Sequence, residues 1–294
     1  MLFQRRHAAI RWNNRKTALI LTSELIVYLT TILLFIHHFR FTHSVDDAQV
    51  VFNWALHHTP VNPWTDPNWL NHYLYSNPQN LFLAAIYHII IKIFGQSFFP
   101  VIVIFLFLHL ATAVILFLAL RELGLSNFSA FFTIQLFLFM PQVLLQAPIA
   151  YTDTLSLFFV ALTLLTFINA ERQSQSIGSL ITWLTIGSSF AFLAFLSKGT
   201  SLILIIAISL FLLLYHVGMR RLLFLVPLLV LLLGNLGWKQ VVNQSNIYPD
   251  NGYGQPNTHY IMMGLSFTPI PKNLTKQQAQ KWEVGIYAPG DQAY

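Results

Sequence analysis

The chain has 294 residues, of which 55% are hydrophobic and 15% aromatic; only 9% are charged, and the mean hydropathy is +0.60. A soluble domain carries roughly a quarter charged residues, so a globule bathed in water on all sides is excluded. The net charge of +6 does not point to nucleic acid, because Lys and Arg fall in short clusters between long apolar runs, the pattern by which membrane proteins set their orientation. The absence of cysteine removes disulfides, Cys–metal sites and thiol nucleophiles.

Arg5, Arg6, Arg11, Arg15 and Lys16 precede an apolar run from Thr17 to about Phe39. That run is too long for a signal-peptide core and reads as a first transmembrane helix with a cytoplasmic N-terminus. In the outer loop that follows, Ser44-Val45-Asp46-Asp47 opens an amphipathic pattern with Val45, Ala48, Val51, Phe52 and Ala55 on one face, suited to a membrane surface. After a Pro/Asn/Trp-rich stretch, Asn77-Pro78 opens another helix, with Asn77 placed to cap, Pro78 at its first position and Gly95 to stop it.

The segment Asn80–Phe94 holds His88 and Lys92 within about fifteen residues, too few for an ordinary span. If it lies along the surface, Arg121, Arg172, Arg220 and Arg221 all fall on the cytoplasmic side; if it spans, all of them move outside. The positive-inside rule favours the surface placement. Further spans are expected near Phe98–Leu120, Ser129–Leu145, Thr154–Ala170, Ser179–Leu196, Ser201–His216 and Leu222–Trp238. The expected fold is therefore an all-α membrane protein of about seven transmembrane helices. The transmembrane domain covers residues 1–238, with its outer loop at 40–97, and an extracytoplasmic tail covers 239–294.

Polar chemistry gathers on the outer side. Asp46 and Asp47 serve as helix-capping acids on one reading, and on the other as a general base or metal ligand at the membrane surface. Asp153, in Tyr151-Thr152-Asp153-Thr154, either caps a later span or joins the outer acids in one site. Lys198, in Ser197-Lys198-Gly199, either snorkels to the interface or meets a phosphate. Glu24, about 10 Å into the first span, is expected to face other helices in a structural hydrogen bond. The loop histidines His37, His38, His43, His57, His58 and His72 match no metal-ligand spacing. Asn243 and Asn273 head Asn-x-Ser/Thr sequences that matter only where the outer side is a eukaryotic lumen.

In their order these pieces resemble the N-terminal half of a GT-C superfamily membrane glycosyltransferase. The bacterial aminoarabinose transferases and protein O-mannosyltransferases are similar at Asp46-Asp47, at Asn77-Pro78 through Phe94-Gly95, at Tyr151-Thr152-Asp153 and at Ser197-Lys198-Gly199. Uncharacterised integral membrane proteins of Gram-positive bacteria resemble the chain at Tyr151–Ser156 and Thr258–Leu265. Where the aminoarabinose transferases carry Glu-Lys before the helix-opening proline, this chain has Ser76-Asn77, which cannot supply those charges.

The resemblance implies transfer of a sugar from a polyprenyl-phosphate donor to an acceptor at the extracytoplasmic face of the cell membrane. It implies Asp46, Asp47 and Asp153 as the catalytic acids, with Asp46 the preferred base, and Lys198 and Arg40 as donor-phosphate ligands. A divalent metal, Mg or Mn, would have Asp46 and Asp153 as its ligands. The partners would be the lipid-linked sugar, the bilayer and an acceptor on a glycan, lipid or protein. Members of the superfamily continue with more spans, so the chain reads as an N-terminal fragment. The rival from another class is a transporter or accessory subunit for lipid-linked intermediates, with its main polar cavity at mid-membrane around Glu24.

Overall fold

The computed structural model describes residues 14–38, 46–57, 74, 77–173 and 176–245. Arg40, Ser44, the Pro/Trp-rich stretch and the tail from 246 onward lie outside the described residues, as does the side chain of Asp46. The secondary structure is helical, without strands among the described residues: α1 (Asn14–His38), α2 (Asp46–His57), α3 (Leu81–Phe94), α4 (Phe99–Glu122), α5 (Asn127–Leu138), α6 (Pro141–Gln146), α7 (Thr152–Gln173), α8 (Ile177–Ser197), α9 (Leu202–Tyr215) and α10 (Leu225–Gln244). Short 3₁₀ turns at Pro78–Asn80, Gly199–Ser201 and Gly218–Phe224 precede α3, α9 and α10.

Helices at Lys16–His38, Phe99–Glu122, Thr152–Arg172, Ile177–Ser197 and Gly218–Gln244 are long and apolar enough to cross a bilayer. The protein is thus an all-α, multi-pass membrane protein. Leu19, Val27, Leu214 and Leu233, each more than 60% exposed, give it a lipid-facing surface. Two of the expected spans are shorter than the apolar runs that suggested them. The run Ser129–Leu145 is broken at Pro141, which has no N–H to continue α5 and sets Met140 in an extended conformation (φ −60°, ψ 125°). The run Ser201–His216 yields a helix of 14 residues, because 3₁₀ turns occupy both of its flanks; that is about 21 Å of rise.

The ends of the helices sort by charge. Arg172 pairs with Glu122 at 2.9 Å, joining the C-termini of α7 and α4. His216 Nε2 lies 3.1 Å from Glu171, and the Arg221 guanidinium donates to the His216 carbonyl at 2.9 Å. Asn127, just after the end of α4, donates to Thr17 in the first turns of α1 at 3.1 Å. Arg121, Arg172, Arg220, Arg221 and Lys16 therefore belong to one end of the bundle, with the N-termini of α4 and α7 at the other.

The second rim carries α3. Asn80, at its start, donates to the Tyr151 hydroxyl at 3.0 Å, and Tyr87, two turns on, donates to the Ala150 carbonyl. Phe98, which follows the end of α3, packs its ring on Phe52 and Tyr87. Since α4 and α7 run parallel, with their far ends joined by Arg172 and Glu122, α3 begins and ends on the same rim. Gly95 terminates it at φ +89°, a left-handed conformation that other residues adopt with strain, while its N–H closes the last turn on Ile91 at 2.9 Å. Asn77 does not cap the helix with its side chain; its Oδ1 accepts from the Gln79 amide at 3.2 Å instead. The amphipathic face expected of α2 is present: Ala48, Val51, Phe52 and Ala55 are buried, and His88 of α3 meets the Ala55 carbonyl at 3.2 Å.

Candidate functional site

The site is built by the helical hairpin α7–α8. Its arms have 22 and 21 residues, so α8 returns the chain to the level at which α7 began. The arms approach closely where Gly187 faces Thr166: a Cβ on Gly187 would lie 2.7 Å from the Thr166 hydroxyl, which back-bonds to the Leu162 and Thr163 carbonyls. Asp153, in the first turn of α7, and Lys198, the residue that ends α8, are thereby brought together, and Lys198 Nζ donates to Asp153 Oδ1. One turn deeper Ser156 and Ser201 share a hydrogen bond at 2.7 Å, fixing the Gly199–Ser201 turn to α7.

The approach to α7 is strained. Ala150 has φ +53°, a left-handed conformation that costs an alanine about 1–2 kcal/mol. It is fully buried, and the Tyr87 hydroxyl donates to its carbonyl. Burial and the neighbouring Tyr151 hold the Tyr87 hydroxyl well above its ordinary pKa, so it remains a proton donor. Strain of this kind persists only where surrounding contacts over-determine it.

A cavity of about 280 Å³ opens beside the ion pair. Its walls are Asp153, Thr154, Ser156, Leu157 and Val160 of α7, Lys198 and Thr200 of the following turn, Gln146 and Val143 of α6, and His109 of α4. A wall with this many hydrogen-bonding groups is unusual in a bundle otherwise lined by Leu, Ile and Phe. On the other side of the same turn a second cavity, of about 330 Å³, lies between Pro78, Gln79 and Leu81, Phe195, Leu196 and Gly199, and Asn235, Trp238, Lys239 and Val242. It is mainly apolar, and Leu232, Leu233 and Leu236 on the neighbouring helix α10 are exposed.

Among the residues singled out from sequence, Asp153 and Lys198 meet. Asp47 is exposed in the first turn of α2 and is not among the described residues that line either cavity. It nonetheless belongs to the same rim, because α2 packs through Phe52 on Tyr87, which is bonded to Ala150. Asp46 is the first residue of α2. Glu24 borders neither described cavity and has a buried oxygen with no partner among the described residues. His109, within a span, is not among the loop histidines considered from the sequence. The signal available was a lone imidazole inside an uncharged span, which marks function by default.

No group of three His, Asp or Glu side chains able to hold a metal occurs among the described residues. Asp153, the acid on the described cavity wall, is already paired with a lysine. The side chain of Asp46, the other expected metal ligand, lies outside the described residues.

Residues 77–238 match the family of dolichyl-phosphate-mannose-protein mannosyltransferases; the matched stretch includes Asp153, Lys198 and both cavities' principal walls, and stops short of Asp46 and Asp47. No curated protein and no solved structure matches the chain. The matched stretch is more than half of the sequence, and the chain belongs to the dolichyl-phosphate-mannose-protein mannosyltransferase family, within the GT-C superfamily of membrane glycosyltransferases.

Proposed function

We propose that this protein transfers a sugar from a polyprenyl-phosphate donor to an acceptor hydroxyl at the extracytoplasmic surface. The observation that carries the reading is the Asp153–Lys198 pair on the wall of a polar cavity, at the rim opposite the arginine-rich end. The positive-inside rule makes that arginine-rich end cytoplasmic, and with it the N-terminus. The surface placement of α3 goes with the same orientation.

In this reading the sugar occupies the polar cavity and the prenyl chain the apolar one, so that the phosphate lies over the Gly199 turn between them. The acceptor oxygen attacks the anomeric carbon as the bond from that carbon to the phosphate oxygen breaks. The electron pair leaves with the phosphate and the acceptor proton goes to a carboxylate. Lys198 exchanges part of its contact with Asp153 for the leaving phosphate, whose growing charge it stabilises as a compact cation. Asp46, at the head of α2 on the same rim, is the base. Asp153 orients Lys198 and bounds the sugar.

The direct test is transfer by the whole chain in proteoliposomes supplied with radiolabelled polyprenyl-phosphate mannose and a mixture of candidate acceptors. Label is expected to pass from the lipid to an acceptor. Movement of intact labelled lipid between leaflets, without release of the sugar, identifies the transporter reading instead.

Topology is tested separately. Leu123→Cys, at the arginine-rich end, is expected to react with an impermeant maleimide only from the cytoplasm, and Gln244→Cys only from outside. Labelling of position 123 from outside would overturn the orientation and the surface placement of α3 together.

A further inference from the structure

His109 stands in the middle of α4, between Leu108 and Leu110, in a helix built mainly from Leu, Ile, Val, Phe and Ala. It is 3% exposed. Its ring is stacked between Tyr28 of α1 (centroids 5.9 Å apart, planes at 17°) and Phe137 of α5 (5.8 Å, 21°). Its Nε2 lies 3.3 Å from the Tyr28 hydroxyl. Side chains from two other helices thus hold one imidazole in one orientation. Packing alone does not call for this, since a phenylalanine fills a ring-shaped slot without a polar group to desolvate.

A neutral imidazole has one donor and one acceptor nitrogen. Tyr28 engages Nε2, and among the described residues Nδ1 has no hydrogen-bond partner. His109 also lines the cavity that has Asp153 and Lys198 at its mouth. Val160, seven residues after Asp153 on α7, lines the same cavity, so its depth is about 10 Å. The volume of about 280 Å³ is at the small end of ligand sites, which run from about 300 to 1,000 Å³. It suits a single sugar ring rather than an oligosaccharide. A ring whose anomeric carbon is at the rim, against the phosphate, points its far edge, C3 to C6, inward.

We propose that His109, held by Tyr28 and Phe137, closes the inner end of the sugar cavity and hydrogen-bonds through Nδ1 to a hydroxyl on the far edge of the transferred sugar, making it a determinant of which sugar is accepted. The inference rests on the transferase reading and adds to it a residue that touches the sugar but not the phosphate.

The experiment measures binding to the full chain in lipid nanodiscs. The probes are unsubstituted polyprenyl phosphate and polyprenyl phosphates carrying mannose, glucose or galactose. The wild type is expected to bind at least one glycosylated lipid more tightly than the unsubstituted one. His109→Phe should weaken that lipid about three- to tenfold, the worth of one hydrogen bond, and compress the preference among the three sugars. Its affinity for unsubstituted polyprenyl phosphate should stay the same, which also shows that the variant is folded. His109→Gln, which keeps a polar end, should lose less, and Tyr28→Phe should shift the sugar preference in the same direction. If the wild type binds glycosylated lipids and His109→Phe binds them equally well, the inference falls and the transferase reading stands. Equal loss for substituted and unsubstituted lipid makes His109 structural and overturns the inference in the same way. A wild type that binds none of the four lipids overturns both.

Discussion

Asp153→Asn and Lys198→Met are each expected to lower sugar transfer by about 10²-fold or more, the usual cost of removing a charge aimed at a developing oxyanion, with little loss of folded protein. The side chains of Lys198 and Asp153 are 42% and 33% exposed. Water screens a pair of that kind, and such pairs contribute about 0–1 kcal/mol to stability. The hairpin is held instead by the close approach at Gly187 and by the Ser156–Ser201 bond, neither of which the substitutions touch. If the pair works as a unit, the double variant should be no slower than the worse single one, because groups that act together are strongly non-additive. The measurement is initial transfer rate per folded molecule, with folding followed by thermal unfolding in detergent. A fall in activity matched by an equal fall in folded protein would make the pair a structural clasp. Unchanged rates for both singles would remove it from the reaction.

Much of this arrangement was legible in the sequence where hydropathy and charge act over long distances. Apolar runs locate the ends of α1, α4, α7 and α8 to within three residues and those of α10 to within six, and the arginines identify the rim on which α3 lies. Hydropathy failed where local backbone chemistry took over. Pro141 is apolar and counts toward a span, yet its missing N–H ends the helix before it.

The meeting of Asp153 and Lys198 spans 45 residues of sequence. A hairpin of equal arms forces it, and the arm lengths were there to be read. The cavity floor was less accessible. His109 finds Tyr28 across 81 residues and Phe137 on a third helix. No periodicity within α4 distinguishes a histidine held by such partners from one that only fills space. The Ala150 conformation is likewise invisible in sequence, because nothing marks an alanine as left-handed.

The two acids that open α2 should separate by function. Asp46→Asn is expected to abolish transfer while the protein remains inserted and folded; Asp47→Asn should keep its turnover per folded molecule and lose only a little thermal stability. Both residues occupy the first turn of α2, where either carboxylate is favoured by the helix dipole. That position needs only one of them. Adjacent helical residues point about 100° apart, so one acid can serve the helix while its neighbour serves the site. Asp47 is exposed to solvent and borders neither described cavity, which suits the helix-dipole role. The proton taken from the acceptor hydroxyl then falls to Asp46, on the rim that α2 shares with Asp153 through Phe52, Tyr87 and Ala150. General-base catalysis contributes about 10²–10⁴-fold, so a true base cannot be neutralised without a loss of that order, and no gain in stability will restore it. Transfer rates and unfolding midpoints measured side by side on the two variants decide the matter. Normal turnover in Asp46→Asn with loss in Asp47→Asn would exchange the roles, and normal turnover in both would leave the acids as helix-stabilising groups and move the base to Asp153.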